Sequence, residues 1–309
     1  MRPAMKDAAK AMRAATETVL AGLSQTQSDR VLHGFADPDR TRWSYTPRDH
    51  HGLSLTEMDV PTRKAFHRLL ATALSRHAMA QAVTIMALEE VLDLDESGRK
   101  DRHSGGYYLA VFGRPGSPRM SWRIEGHHLS VTATIVGDAV AVGPVFLGAN
   151  PHRVRAGRTA VLAPLGAEEH LARDLLASLP VDLHKKALIT PVPPSDIRSR
   201  NQEQVNPRLI DPSGVPVAAL DDEQRQMFAA LLALYLERLA PPLRPSVKET
   251  ELHFAFLGRN KEGAGHYYRI TGPDLLIEYC NNTGDHAHTV LRTPGGDFGR
   301  DLITAGHRG

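Results

Sequence analysis

Tyr108-Leu109-Ala110-Val111-Phe112-Gly113 recurs as His253-Phe254-Ala255-Phe256-Leu257-Gly258, and this echo sets the reading of the fold. Downstream, Trp122-Arg123-Ile124-Glu125-Gly126 is matched by Tyr268-Arg269-Ile270-Thr271-Gly272. Upstream, Leu20-Ala21-Gly22-Leu23 pairs with Leu176-Ala177-Ser178-Leu179, and Arg30-Val31-Leu32 with Lys186-Ala187-Leu188. One unit therefore reads as written twice. Residues shared by both copies are what the fold requires, and residues in one copy alone call for another reason.

Each copy reads as helices followed by a β-meander. In the first, Ala8–Phe35 and Pro61–Leu94 carry helical apolar spacing, with Phe66, Leu69, Leu70 and Leu74 on one stripe. Pro61 suits a first helical turn. Strands follow at about Gly106–Phe112, Arg119–Glu125, His128–Ile135 and Ala139–Val145. In the second, Ala167–Ser178 and Asp221–Leu239 read as helices, Asp221 as an N-cap. Strands follow at about Glu251–Leu257, His266–Thr271, Leu275–Cys280 and His286–Leu291. Helices followed by antiparallel strands predict an α+β class. The expected architecture is an internally duplicated pair of pseudo-equivalent halves, 1–165 and 166–309, packed as one body. Ile189–Val217, rich in Pro, Ser, Asn and Asp, is expected as a long loop covering the site.

Composition excludes several classes. In 309 residues, 41% are hydrophobic and 23% charged, enough apolar material for a globular core. Lys and Arg are scattered and nearly balanced by acids, so no basic footprint points to nucleic acid. No apolar run reaches a membrane span, and the stretch from Met1 to Leu23 lacks the apolar centre of a secretory signal. Cys280 has no partner for an internal disulfide, which favours a reducing, cytoplasmic setting.

Sixteen histidines make the chemistry. His286 and His288 flank one residue, so in a strand both imidazoles project to one side, about 7 Å apart by Cα. A hairpin closed by Asn281–Asp285 would set Cys280 opposite His286 and Glu278 opposite His288, whereas a one-residue slip would bring Tyr279 and Ile277 to that face. The other copy has Ala139 and Ala141 at the positions of His286 and His288, so packing does not demand histidine there. His127 and His128 are also specific to one copy, Pro273 and Asp274 standing in their places. As neighbours in a strand only one would point inward, unless Gly126 allows a bulge. That one is expected to complete the His286–His288 site. Glu125 and Glu278 are candidate carboxylate ligands or proton acceptors, and Arg292 a candidate anchor for an anionic group. Glu125 is equally placed to pair with Arg123 or Arg269. His50 and His51, near Trp43 and Tyr45, read as a solvated loop, and His307 follows the last strand. Nucleotide-binding, nucleophile-elbow and His-Glu-x-x-His motifs are absent from the sequence.

Trp43-Ser44-Tyr45-Thr46-Pro47 with Gly52-Leu53, Glu125-Gly126-His127-His128-Leu129-Ser130 and Phe146-Leu147-Gly148-Ala149-Asn150-Pro151 resemble the domain of unknown function 3500. So do Tyr268-Arg269-Ile270-Thr271-Gly272-Pro273 and His286-Ala287-His288-Thr289-Val290-Leu291-Arg292 with Asp297-Phe298-Gly299. The resemblance spans nearly the whole chain and implies no activity. Many of the family's members look secreted, and this chain differs in lacking a leader. It also carries His50 where the family has a basic residue, which argues against a shared substrate.

The expectation is a metal-dependent enzyme acting on a small molecule at a mononuclear histidine site. The ion would be copper, iron or zinc, and oxidative chemistry is preferred to hydrolysis because nitrogen ligands with an open position suit a redox metal. The alternatives are a non-catalytic metal- or ligand-binding protein and a metal-dependent hydrolase.

Overall fold

The computed structural model describes residues 3–96 and 103–305, so His307 lies outside the described residues. The chain divides into two units, each built of helices and strands, and the class is α+β. The first unit takes Met1–Val145, Glu237–Arg244 and Gly295–Gly309; the second takes Phe146–Leu236 and Pro245–Pro294.

In the first unit the expected long helices are broken by their own caps. Helix α1 (Pro3–Ala21) ends before Gly22, and α2 (Gln25–Val31) restarts with a capping box between Ser24 and Gln27. Strands β1 (Leu32–His33) and β2 (Leu53–Ser54) follow. Helix α3 (Val60–Ala73) opens with Asp59 as cap and Pro61 in its first turn. It stops at Leu74, and Ser75 caps α4 (Arg76–Asp95). Apolar periodicity runs through both breaks because the same face stays buried: Phe66, Leu69 and Leu70 are fully inaccessible and Leu74 nearly so.

Four strands form the meander: β3 (Tyr107–Phe112), β4 (Arg119–Gly126), β5 (Leu129–Val136) and β6 (Ala139–Ala149), the last running on past Val145. The order is β1-β3-β4-β5-β6, with β1 parallel and β2 antiparallel to β3. Alternation sorts β4 and β5 into two chemistries. Trp122 and Ile124 oppose Ala133 and Val131 on an apolar face, whereas Arg123 and Glu125 oppose Thr132 and Ser130 on a polar one. The polar face is also inaccessible, because the chain from Asp39 to His50 lies over it: Arg123 Nη1 donates to Asp39 O at 2.6 Å.

Distant parts of the chain close this unit. Ser75 N donates to Arg238 O at 2.8 Å and Ala240 N to Ala73 O at 2.9 Å, pairing Leu74 with Leu239. Arg40 Nη1 donates to Phe298 O at 2.8 Å, and Gly299 packs so near Thr134 of β5 that a Cβ would lie 2.6 Å from its methyl carbon.

The second unit begins with a hairpin of β7 (Val154–Ala156) and β8 (Thr159–Leu162), followed by α5 (Gly166–Ser178) and α6 (Val181–Ala187). Short elements punctuate the expected long loop: β9 (Leu188–Thr190), α7 (Pro207–Ile210) and β10 (Val215–Pro216). Helix α8 (Asp222–Leu236) is capped by Asp221, whose Oδ1 accepts Gln224 N at 2.9 Å. The meander comprises β11 (His253–Gly258), β12 (His266–Gly272), β13 (Leu275–Asn281) and β14 (Ala287–Arg292), in the order β14-β13-β12-β11-β10 with β9 parallel to β11. On one face Phe256, His266, Tyr279 and Tyr268 stack in succession, and Tyr268 Oη donates to Glu168 O of α5 at 3.1 Å. The opposite face, with Tyr267, Glu278, Cys280 and His288, is overlaid by the segment around Asp196–Ser199.

The two-residue connection between β4 and β5 leaves no room beside Gly126. A Cβ there would sit 2.5 Å from Gly106 O and 2.6 Å from Tyr107 Cδ1. Gly126→Ala should therefore cost about 1–3 kcal/mol in urea unfolding, the usual range for overpacking against backbone. Unchanged stability would contradict the pairing of Tyr107 with Gly126.

Candidate metal centre

His127 and His128 occupy the turn itself. Gly126 faces Leu129, so the two histidines form the complete loop between β4 and β5 instead of lying along a strand. This corrects the expectation that alternation would send them to opposite sides. His128 adopts φ +62°, a conformation that costs a non-glycine residue about 1 kcal/mol or more. Tyr107 Oη donates to His127 O at 2.9 Å and His128 N to Tyr45 O at 3.1 Å, pinning the turn from both sides. The two rings lie close, centroids 3.6 Å apart and planes tilted by 30°, and both turn towards one carboxylate. Glu89 Oε1 is 2.6 Å from His127 Nδ1 and 4.0 Å from His128 Nδ1. Glu89, His127 and His128 each offer a donor atom within 4.8 Å of the others. A cavity of about 400 Å³ opens beside Glu89 and His127, bordered by Arg48, Asp49, His103 and Tyr108.

Sequence reasoning passed over Glu89, although it carried a signal. It lies on the stripe Ala78, Ala82, Ile85, Met86 and Leu92 of α4, where an apolar residue is the norm. Burying a carboxylate there demands a partner, and the imidazoles supply it.

In the second unit His286 and His288 also converge. Their Nε2 atoms are 2.9 Å apart, and Asp196 Oδ1 holds His288 Nδ1 at 2.7 Å. A carboxylate on the far nitrogen of an imidazole fixes the ring and aims its other nitrogen, as around many metal-bound histidines. The hairpin register differs from expectation by two residues: Cys280 faces His288, and Glu278 faces Val290. A slip of two preserves the face, so Cys280, Glu278 and His288 still share it. His286 precedes β14, in a loop running from Asn282, and its N–H donates to Asn281 Oδ1.

The expected catalytic carboxylates have other partners. Glu125 is buried against Arg123 Nε at 2.9 Å and His50 Nδ1 at 3.3 Å, and it accepts Ser44 N at 2.9 Å. Burial pushes its pKa up, but the Arg123 charge and these contacts outweigh it and hold the carboxyl below its ordinary value. Glu278 accepts Arg198 N at 2.6 Å, Ser199 N at 3.0 Å and Tyr267 Oη at 2.8 Å. Arg292 is fully buried and donates to Glu203 O at 3.1 Å. His50, expected in a solvated loop, is buried on Glu125; His51 is the exposed one, 2.9 Å from Asp39. Burial raises the Cys280 thiol to about 12, with Asp196 and Glu278 adding to the effect, so it stays protonated.

A further buried network was also missed. Glu169 of α5 meets His152 Nε2 at 2.8 Å, Arg153 Nη2 at 3.0 Å and Arg173 Nε at 2.9 Å. Arg173 Nη2 donates to His266 Nδ1 at 3.0 Å, which makes that imidazole an acceptor. Only the Glu169-to-Arg173 spacing of one helical turn was visible in the sequence.

The chain belongs to the family described as protein of unknown function (DUF3500), whose sequence model matches residues 5–300. Among curated proteins and among solved structures, nothing matches it.

The Glu169 network predicts acid sensitivity. Burial, then the Arg173 charge, lowers the His266 pKa from 6.5 to about 4. Between those values the unfolded chain binds the extra proton, so stability present above pH 6.5 drains away as pH falls towards 4. The depressed Glu169 carboxyl acts in the same direction below its unfolded pKa. Unfolding free energy should fall by roughly 2–3 kcal/mol between pH 7 and 4.5 from His266 alone. His266→Gln keeps an acceptor for Arg173 and should remove that part of the fall. A wild-type stability flat across this range would refute the neutral buried imidazole.

Proposed function

We propose that this member of the family is a metal-dependent enzyme acting on a small molecule, with a transition-metal ion held in the first unit by Glu89, His127 and His128. The observation that carries the reading is the adjacency of three convergent donors to the cavity of about 400 Å³. Two imidazoles and one carboxylate form a ligand set that leaves positions open for substrate and co-substrate. Iron or copper would suit oxidative chemistry and zinc would suit hydrolysis. Oxidation is preferred because the carboxylates that might serve a hydrolytic water are engaged: Glu125 by Arg123, Glu278 by two backbone N–H groups and Tyr267. In this reading the hydrogen bond between Glu89 and His127 would give way to the ion, and Tyr108 and Arg48 border the space that substrate enters.

A second reading keeps His286 and His288 as ligands, supported by their 2.9 Å approach and by Asp196. Elemental analysis of protein purified without a histidine tag separates the cases. The expected result is near-stoichiometric metal that falls at least about tenfold in His127→Ala/His128→Ala, with circular dichroism unchanged, as loss of two ligands requires. Metal lost in His286→Ala/His288→Ala and kept in His127→Ala/His128→Ala moves the site to the second unit and overturns the assignment to the first; loss of one of two equivalents in each means two sites. A wild-type protein that holds no copper, iron or zinc after reconstitution overturns the proposal, and turnover independent of oxygen overturns the oxidative preference.

A further inference from the structure

Beside the cavity at Glu89 and His127 lies a second, larger hollow of about 560 Å³, and His103 lines both. Their walls differ in what they leave for a ligand. In the larger hollow Arg63, His67 and Glu90 are engaged by the protein. Arg63 donates to Met58 O at 2.8 Å and to Thr56 O at 3.3 Å, His67 Nδ1 meets Arg63 O at 2.9 Å, and Glu90 accepts Ser104 N at 2.7 Å. What remains towards the space is apolar: Leu55, and Val83, Met86 and Ala87 from one side of α4. Val83, a β-branched residue in the middle of α4, is 42% exposed.

The smaller cavity presents the opposite chemistry. Asp49 is taken by Tyr108 Oη at 3.0 Å and Glu89 by His127 at 2.6 Å, so its two acids are already matched. Arg48, by contrast, has no hydrogen bond or ion pair among the described residues. One unmatched cation therefore borders the polar cavity, and an apolar trough begins on the far side of His103.

We propose that the two hollows form one bipartite site for an amphipathic anion, its charged head at Arg48 and its apolar body along Leu55, Val83, Met86 and Ala87. This deepens the metal-enzyme reading by naming the substrate class, and it places the head beside the proposed ligands. The geometry needs no ion for binding, so the two ideas fail separately.

The test uses straight-chain carboxylates from acetate to decanoate as probes, with binding to the full-length protein measured by titration calorimetry. Affinity should rise about three- to fourfold per methylene once the chain reaches the trough, and level off when it is filled. Arg48→Ala should weaken every carboxylate by about tenfold and leave the chain-length slope intact, as expected for a single charge-assisted contact. Val83→Asp should flatten the slope and keep the Arg48 dependence. Neither residue is a proposed metal ligand, so metal content should stay at the wild-type value in both. A chain-length slope in protein that holds no metal would sustain this site and sink the metal reading. Metal at full occupancy with affinities independent of chain length would do the reverse. Octanol binding as tightly as octanoate would remove Arg48 from the site and overturn the proposal as stated.

Discussion

The register of β4 against β5 is the constraint from which the first unit's chemistry follows. With Gly126 opposite Leu129, two residues must turn the chain, and both are histidines. Their backbone is therefore set by the sheet. The positive φ of His128 is tolerated because hydrogen bonds from both sides leave no alternative. Rings held in this way are pre-positioned, and the entropy of ordering them is lost in folding the hairpin instead of in binding a ligand.

Carboxylates do two kinds of work here. Glu125, Glu169 and Glu278 are held chiefly by arginine, backbone N–H or tyrosine, with His50 added on Glu125 and His152 on Glu169, and they tie loops and helices to the strands. Glu89 and Asp196 face the two histidine pairs, at 2.6 Å from His127 and 2.7 Å from His288, and fix the direction in which those rings present their nitrogens. The first kind makes architecture from charge; the second makes a site from architecture. Sequence cannot tell them apart, because all five are acids in ordinary surroundings along the chain.

What was legible followed from periodicity and spacing. The eight meander strands emerge within a few residues of where alternation puts them, and His286 and His288 meet because one residue separates them in the sequence. Pro61 and Asp221 were readable as helix starts because their roles are local. The failures were of two sorts. His127 and His128 were read as strand because the pattern of apolar residues cannot show where a two-residue turn falls. The burial of His50 and the roles of His152, His266 and Asp196 escape the sequence because their partners lie tens of residues away or more, and pairings of that kind are made by tertiary packing.

The first unit is not a contiguous piece of chain. Leu74 waits for Leu239, Arg40 for Phe298 and Thr134 for Gly299. These closures span loops of well over a hundred residues, whose entropy must be met before the contacts return anything. During synthesis, which proceeds from the N-terminus, the helices and meander of the first unit are complete in sequence long before the segments that seal them have been made. The second unit, which is nearly continuous, is complete in sequence at Pro294, before the last segment of the first has been made. A chain released early, even one lacking only the residues from Gly295 onward, would carry every candidate ligand and still lack the contacts that finish the body holding half of them.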